Sequence, residues 1–326
     1  MKTKTAILAS ILIASSLTFA ASNEVATQKT QEVPAQGGEA APKEKGAPLP
    51  LLTLDGVGGV VLTPIAYLIN PGAEGTQVGL PSFGLTYVNA GHKNVESFGV
   101  SETLFGRLEI GYNASRFGTG TLQRDVLKYA GVDIARNDVW LHSVNLRYNI
   151  LPENAFGTSF LPAITLGVHG KFNDGINETN KNLGGLLSQI GYDRDYGVEF
   201  TITATKAFLI YEHPLILSIT GRASDASNLG YLGYSGDYEF SLEGNAVFGI
   251  TDWLFFAFEY RQKRNQYSTV GVGGHTLIGR EGDWWTIGLA AILSKHATLT
   301  VGYGHLGTVL NTQENGAWAI ATKYEF

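Results

Sequence analysis

The sequence predicts an all-β fold: a transmembrane antiparallel β-barrel of about 12 strands with short periplasmic turns and longer extracellular loops. Three observations predict it. Apolar residues recur with period two through most of the chain beyond residue 50, and the breaks between these segments alternate between short and long. No internal stretch reaches the roughly 18 to 20 apolar residues that a membrane-crossing helix needs. Composition agrees, since the 326 residues are 44% hydrophobic and 16% charged, against roughly 25% charged in soluble domains. The chain has no cysteine, which excludes disulfides, thiolate metal sites and cysteine nucleophiles.

The first segment, 1–21, has the form of a secretory signal peptide. Lys2 and Lys4 make a basic start, residues 6–17 are apolar, and Thr18-Phe19-Ala20-Ala21-Ser22 offers cleavage after Ala20 or Ser22. Losing Lys2 and Lys4 takes the formal net charge from -6 to about -8, too acidic for a phosphate backbone. No nucleic-acid partner is expected. Residues 22–50 are rich in Ala, Gln, Glu, Lys, Pro and Gly and contain no aromatic residue, so they cannot bury enough surface to offset ordering entropy. They read as a disordered periplasmic leader. Residues 51–71 carry Gly56, Gly58 and Gly59 before Val60-Val61-Leu62-Thr63-Pro64, a pattern that permits tight bends and close backbone approach. This plug-like segment is expected inside the barrel; an extra strand pair or a periplasmic flap are the other readings.

Residues 72–326 form the barrel. Expected strands are 81–91, 95–103, 107–117, 138–150, 160–172, 197–210, 213–224, 238–250, 253–265, 283–293, 296–307 and 316–326. In the clearest, Tyr238, Phe240, Leu242, Gly244, Ala246, Phe248 and Ile250 form a lipid face, while Glu239, Ser241, Glu243 and Asn245 face water. After Thr251-Asp252 the next strand sets Leu254, Phe256, Phe258 and Tyr260 against Glu259, Arg261 and Lys263. An even count returns both ends of the barrel to the periplasm. Closure follows because the bilayer interior offers no water to unpaired backbone groups. In the last strand Trp318, Ile320, Thr322, Tyr324 and Phe326 share the outer face, and the chain stops at Phe326. This ending resembles the carboxy-terminal signal read by the bacterial barrel-assembly machinery, with Tyr324 and Phe326 as its residues. Residues 122–129 and 183–190 have helical character within long loops.

Several segments carry a family resemblance: Gly56-Val57-Gly58-Gly59-Val60-Val61-Leu62-Thr63-Pro64, Ala204-Thr205-Lys206-Ala207-Phe208-Leu209, Asn228-Leu229-Gly230-Tyr231-Leu232-Gly233, Glu259-Tyr260-Arg261 and Ser294-Lys295-His296-Ala297-Thr298-Leu299. Together they resemble a family of uncharacterised proteobacterial outer-membrane proteins, a domain of unknown function, over about residues 51–326. The resemblance implies a barrel fold and an outer-membrane location, and it transfers no site residues.

The chemistry-bearing residues point away from catalysis. Seven histidines, at 92, 142, 169, 213, 275, 296 and 305, form no metal-ligand spacing on a shared strand face. His142-Ser143 with Asn145 invites comparison with outer-membrane phospholipases, but neighbouring side chains on a strand point to opposite faces and cannot share a proton. The Gly56–Gly59 run lacks the Gly-Lys-Ser/Thr ending of a phosphate loop. The inward polar faces instead carry Arg107, Glu109, Arg147, Lys171, Glu199, Arg222, Glu239, Glu243, Glu259, Arg261, Lys263, Lys323 and Glu325. These charges either pair and fill the barrel or line a hydrated path. The lumen-lining candidates are Glu239, Glu243, Glu259, Arg261, Lys263, Arg147 and Arg222. The expected function is a narrow porin-like channel passing or binding small solutes, with no catalysis, cofactor or metal; the alternative is a closed structural or surface-interaction barrel. Expected partners are outer-membrane lipid, the assembly machinery and a small-molecule solute. The expected location is the outer membrane of a Gram-negative bacterium after signal-peptide cleavage.

Overall fold

Period-two alternation becomes a wall with one wet and one lipid-facing surface. The computed structural model describes residues 50–72 and 75–326; the expected signal peptide and nearly all of the leader lie outside the described residues. Twelve strands close into one antiparallel barrel. In chain order they are β1 (Ser82–Asn89), β2 (Asn94–Leu104), β3 (Leu108–Gly118), β4 (Asp138–Leu151), β5 (Ala163–Asp174), β6 (Tyr196–Ile210), β7 (His213–Ala226), β8 (Tyr234–Gly249), β9 (Leu254–Arg261), β10 (Trp284–Ile292), β11 (Ala297–His305) and β12 (Ala317–Glu325). Each pairs with its sequence neighbours. β12 closes the ring on β1, from Trp318 opposite Asn89 to Glu325 opposite Ser82.

The side chains sort as the alternation requires. On β8, Tyr238, Phe240 and Leu242 are exposed on the outer face, whereas Ser241, Glu243 and Asn245 are buried. Phe256, Phe258 and Tyr260 on β9, and Trp318, Ile320 and Tyr324 on β12, repeat the outer pattern. At the terminus the Phe326 ring meets Phe83 edge-on at 5.7 Å and Tyr324 at 5.1 Å. The ring cluster therefore straddles the seam where the barrel closes.

Strand ends differ from expectation by a few residues. The largest departures are of four residues: β8 begins at Tyr234 instead of residue 238, and β9 ends at Arg261 instead of residue 265, because the chain leaves the wall there for a long excursion over 262–283. One end of the barrel has the connections 105–107, 152–162, 211–212, 250–253 and 293–296; the other has the short turn 90–93, the loop 227–233 and the long connections 119–137, 175–195, 262–283 and 306–316. The helix expected over 122–129 is present as Leu122–Ala130 and ends on Gly131, whose left-handed φ of 70° lets its N–H bond Leu127 O. Of the helical stretch expected over 183–190, Leu186–Ile190 is helical, and a second helix that was not expected, Ile176–Asn182, precedes it. The loop 227–233 folds inward: the Tyr231 ring stacks on Phe117 at 4.9 Å and its hydroxyl donates to Ser115 Oγ at 2.8 Å.

Candidate functional site

Much of the inner face of β2 to β8 is small and polar, with Ser97, Ser101, Asn113, Asn145, Thr165 and Thr205 all buried. What buries them is the segment 50–71. It joins no barrel strand as a ladder partner and pairs with itself, Leu51 opposite Gly59 and Leu52 opposite Gly58. The fold back is tight enough that a Cβ on Gly59 would lie 2.3 Å from Thr63 O and 2.8 Å from the Pro64 Cα. Only glycine fits there.

Backbone groups that a strand would satisfy in a ladder are met here by wall side chains. Asn113 Nδ2 donates to Leu54 O at 2.9 Å, Ser101 Oγ to Gly56 O at 2.8 Å and Asn145 Nδ2 to Asp55 O at 2.7 Å. Farther along, Ala66 N donates to Thr205 Oγ1 at 2.7 Å. Tyr67 donates its hydroxyl to Glu153 Oε2 at 2.6 Å, and Lys206 Nζ lies 3.1 Å from Glu153 Oε1, which ties the segment to the short-turn end.

Two carboxylates act as anion-to-backbone clamps. Glu259 on β9 accepts the N–H groups of Val61, Leu62 and Thr63, the last two at 2.9 and 2.8 Å, with the hydroxyls of Thr63 and Thr286. Successive N–H groups converging on one carboxylate make an anion-binding concavity. Glu109 on β3 accepts Gly58 N at 3.1 Å and Ile69 N at 2.9 Å while pairing with Arg147 at 3.0 Å. Arg147 also donates to Gly58 O at 3.0 Å and to Ile65 O.

Deeper in the lumen lies a buried charge cluster. Asp55 of the segment meets Lys171 Nζ at 2.8 Å, Arg261 at 3.5 Å and Arg222 at 3.8 Å. Lys171 also reaches Glu199 at 3.1 Å, Arg222 pairs with Glu199 and with Glu243 at 2.6 Å, and Arg261 meets Glu243 at 3.1 Å. Three acids thus face three bases. Without Asp55 the wall alone holds one positive charge too many, so the segment supplies the neutralising group.

The structure brings five of the seven lumen candidates against the segment or its cluster: Glu243, Glu259, Arg261, Arg147 and Arg222. Lys263 sits beyond the end of β9, buried on Glu281 at 2.8 Å and over the Trp284 ring at 4.5 Å. Glu239 has the inward parity but is exposed at the long-loop mouth, 3.9 Å from Arg264. Arg107 does not line the lumen: β3 begins at Leu108, which leaves Arg107 in the exposed turn. Asp55 and Glu281 were missed. No sequence signal marks Asp55, because only distances between side chains single out the wall charges that share its level.

His142 faces outward, with Tyr112 Oη 2.7 Å from its Nδ1, whereas Ser143 is buried inside. They do not meet. His169 is buried between Asn145 Oδ1 at 2.8 Å and Thr201 Oγ1 at 3.0 Å. Among the described residues no cluster of His, Cys, Asp and Glu could hold a metal ion.

A closed twelve-stranded antiparallel barrel with this outer face defines a membrane β-barrel. Residues 50–323 match the family described as protein of unknown function DUF3034, and the chain belongs to that family. No match is found among curated proteins. Solved structures similar to it are outer-membrane barrels. The NanC porin is 11% identical with a TM-score of 0.44, covering 76% of this chain and 100% of its own. An outer membrane channel from Pseudomonas putida F1 is 13% identical with a TM-score of 0.45, covering 81% and 100%. LpxR from Salmonella typhimurium is 12% identical with a TM-score of 0.45, covering 75% and 100%.

Proposed function

We propose that the protein is an outer-membrane channel for small solutes whose lumen is closed by residues 50–71 acting as a plug, and that it carries out no catalysis. The supporting observation is what fills the barrel. A barrel closed for structural purposes alone can fill its lumen with bulky wall side chains. Here the wall of β2 to β8 offers short hydroxyls, amides and charges, and a separate segment completes the packing. Displacing that segment would uncover a hydrophilic surface of the kind that lines water-filled barrels. In this reading the short-turn end faces the periplasm, the basic start and apolar stretch of residues 1–21 direct export with cleavage, and Tyr324 and Phe326 are read by the assembly machinery.

The test is deletion of residues 51–71 with conductance measured in planar bilayers. The variant should still show heat-modifiable mobility and should conduct above the parent. A folded deletion variant that conducts no more than the parent overturns the channel reading and favours a closed surface barrel.

A further inference from the structure

Opposite the polar wall lies an apolar space that the plug reading does not use. The inner face of β10 to β12 carries Gly288, Ala290, Gly302, Gly304, Ala317 and Ala319. Gly288 and Gly302 are direct partners across the ladder, so two facing positions lack side chains. Between this wall and Leu54, Val60 and Leu62 of the segment remains a cavity of about 80 Å³. Phe117, Tyr231 and Trp284 bring three aromatic rings to its boundary, and Leu306 and Val309 approach from the loops at the long-loop end.

Apart from the Thr300 hydroxyl, the polar groups on this boundary are directed elsewhere. Glu259 is saturated by the segment's N–H groups, and Thr286 donates to Glu259 at 3.0 Å. Lys93 Nζ donates to Asn311 at 2.9 Å and Thr312 at 2.8 Å, and Asn228 Nδ2 to Glu281 at 3.1 Å. Buried water needs two to four polar partners, which this lining does not present, and an engineered apolar cavity of about 150 Å³, roughly twice this size, stays dry and accepts benzene or xenon. Ring edges and faces around the space favour an aromatic guest over an alkyl chain.

We propose that this cavity is a binding site for a one-ring aromatic hydrocarbon. Residues 287, 303 and 318 also border the space, while their side chains stand on the outer face of the wall. The proposal does not rest on channel activity: the chamber is bounded by the docked segment and exists in the closed barrel whether or not that segment ever leaves the lumen.

The test uses the full chain in lipid nanodiscs titrated with fluorobenzene and followed by ¹⁹F NMR, with empty nanodiscs reporting partition into lipid. A Cβ on Gly302 meets only Ile287 O, at 3.4 Å, and φ there is not positive, so larger residues fit the backbone. The parent should show a saturable bound signal. Gly302→Leu should weaken it at least tenfold and Gly302→Ala, which adds one methyl group, by a few-fold, both with unchanged heat-modifiable mobility. If Gly302→Leu does not fold, the Gly302→Ala titration decides. Absence of a saturable signal above empty nanodiscs, equal binding by the variants, or displacement by hexane but not by benzene would overturn the proposal.

Discussion

Neutralising Asp55 should release the segment from the lumen, and the structure sets the scale. Asp55 Oδ1 lies 2.8 Å from Lys171 Nζ, and both groups are buried. At an effective dielectric near 20, that contact alone attracts by about 6 kcal/mol. Repulsion from Glu199 and Glu243 and the desolvation of all six groups oppose it. Removing one member of a buried pair while its partner stays charged typically costs about 3–5 kcal/mol. Asp55→Asn leaves Lys171, Arg222 and Arg261 against Glu199 and Glu243, an uncompensated positive charge that undocking the segment would hydrate. At about 1.4 kcal/mol per factor of ten, the docked-to-undocked ratio falls by roughly two to three and a half powers of ten.

The assay is single-channel recording, where open probability reports the undocked fraction. The pair Asp55→Asn with Lys171→Met restores two acids against two bases and should recover most of the closure, since the cost lies in the imbalance. An Asp55→Asn barrel that folds with the parent's open probability would refute the argument. A double variant as leaky as the single one would show that charge balance is not what holds the segment.

Three further outcomes are expected. Deleting Phe326 removes the ring that meets Phe83 and Tyr324 at the closing seam, and should lower the yield of heat-modifiable barrel severalfold, while deleting one leader residue should not. Cysteines replacing the exposed Asp174 or Asp237 should label on intact cells with an impermeant thiol reagent and one replacing Asp252 should not; the native chain supplies no thiol, and a reversed pattern would invert the topology. Lys93, in the turn between β1 and β2, has its pKa lowered to about 8 by burial, with Glu314 and Asp125 partly opposing. The folded state then sheds this proton before the unfolded chain does, so stability should rise between about pH 8 and 10.5, by at most about 1.4 kcal/mol per pH unit. Unfolding midpoints across that range should show the rise, and Lys93→Met should flatten it.

The outer half of this molecule was legible because lipid imposes one rule on every strand. A residue facing hydrocarbon must be apolar, so Tyr238, Phe240 and Leu242 declare their side and, through period two, the side of Ser241 and Glu243 as well. The same rule locates the ends of spans only loosely, which is why β9 was read four residues too long and Arg107 was put on a strand that begins after it. The inward-folding loop 227–233 escaped for a related reason: Tyr231 and Leu232 stand among glycines and serines, and nothing local distinguishes an apolar loop residue that packs inside from one left at the surface.

The lumen obeys no comparable rule. Glu259 and Arg261 stand two residues apart on one face of β9, yet Glu259 receives three backbone N–H groups of the segment while Arg261 meets Asp55 and Glu243. Strand parity gives both the same label, and only the path of residues 50–71 separates their roles. Distances between the side chains, and not parity, single out the charges that share one level. Three bases and two acids around one level of a buried wall cannot stand alone in a medium that penalises an unpaired charge. A counter-charge had to arrive from outside the twelve strands, and Asp55 is the one acid between Leu51 and Pro71.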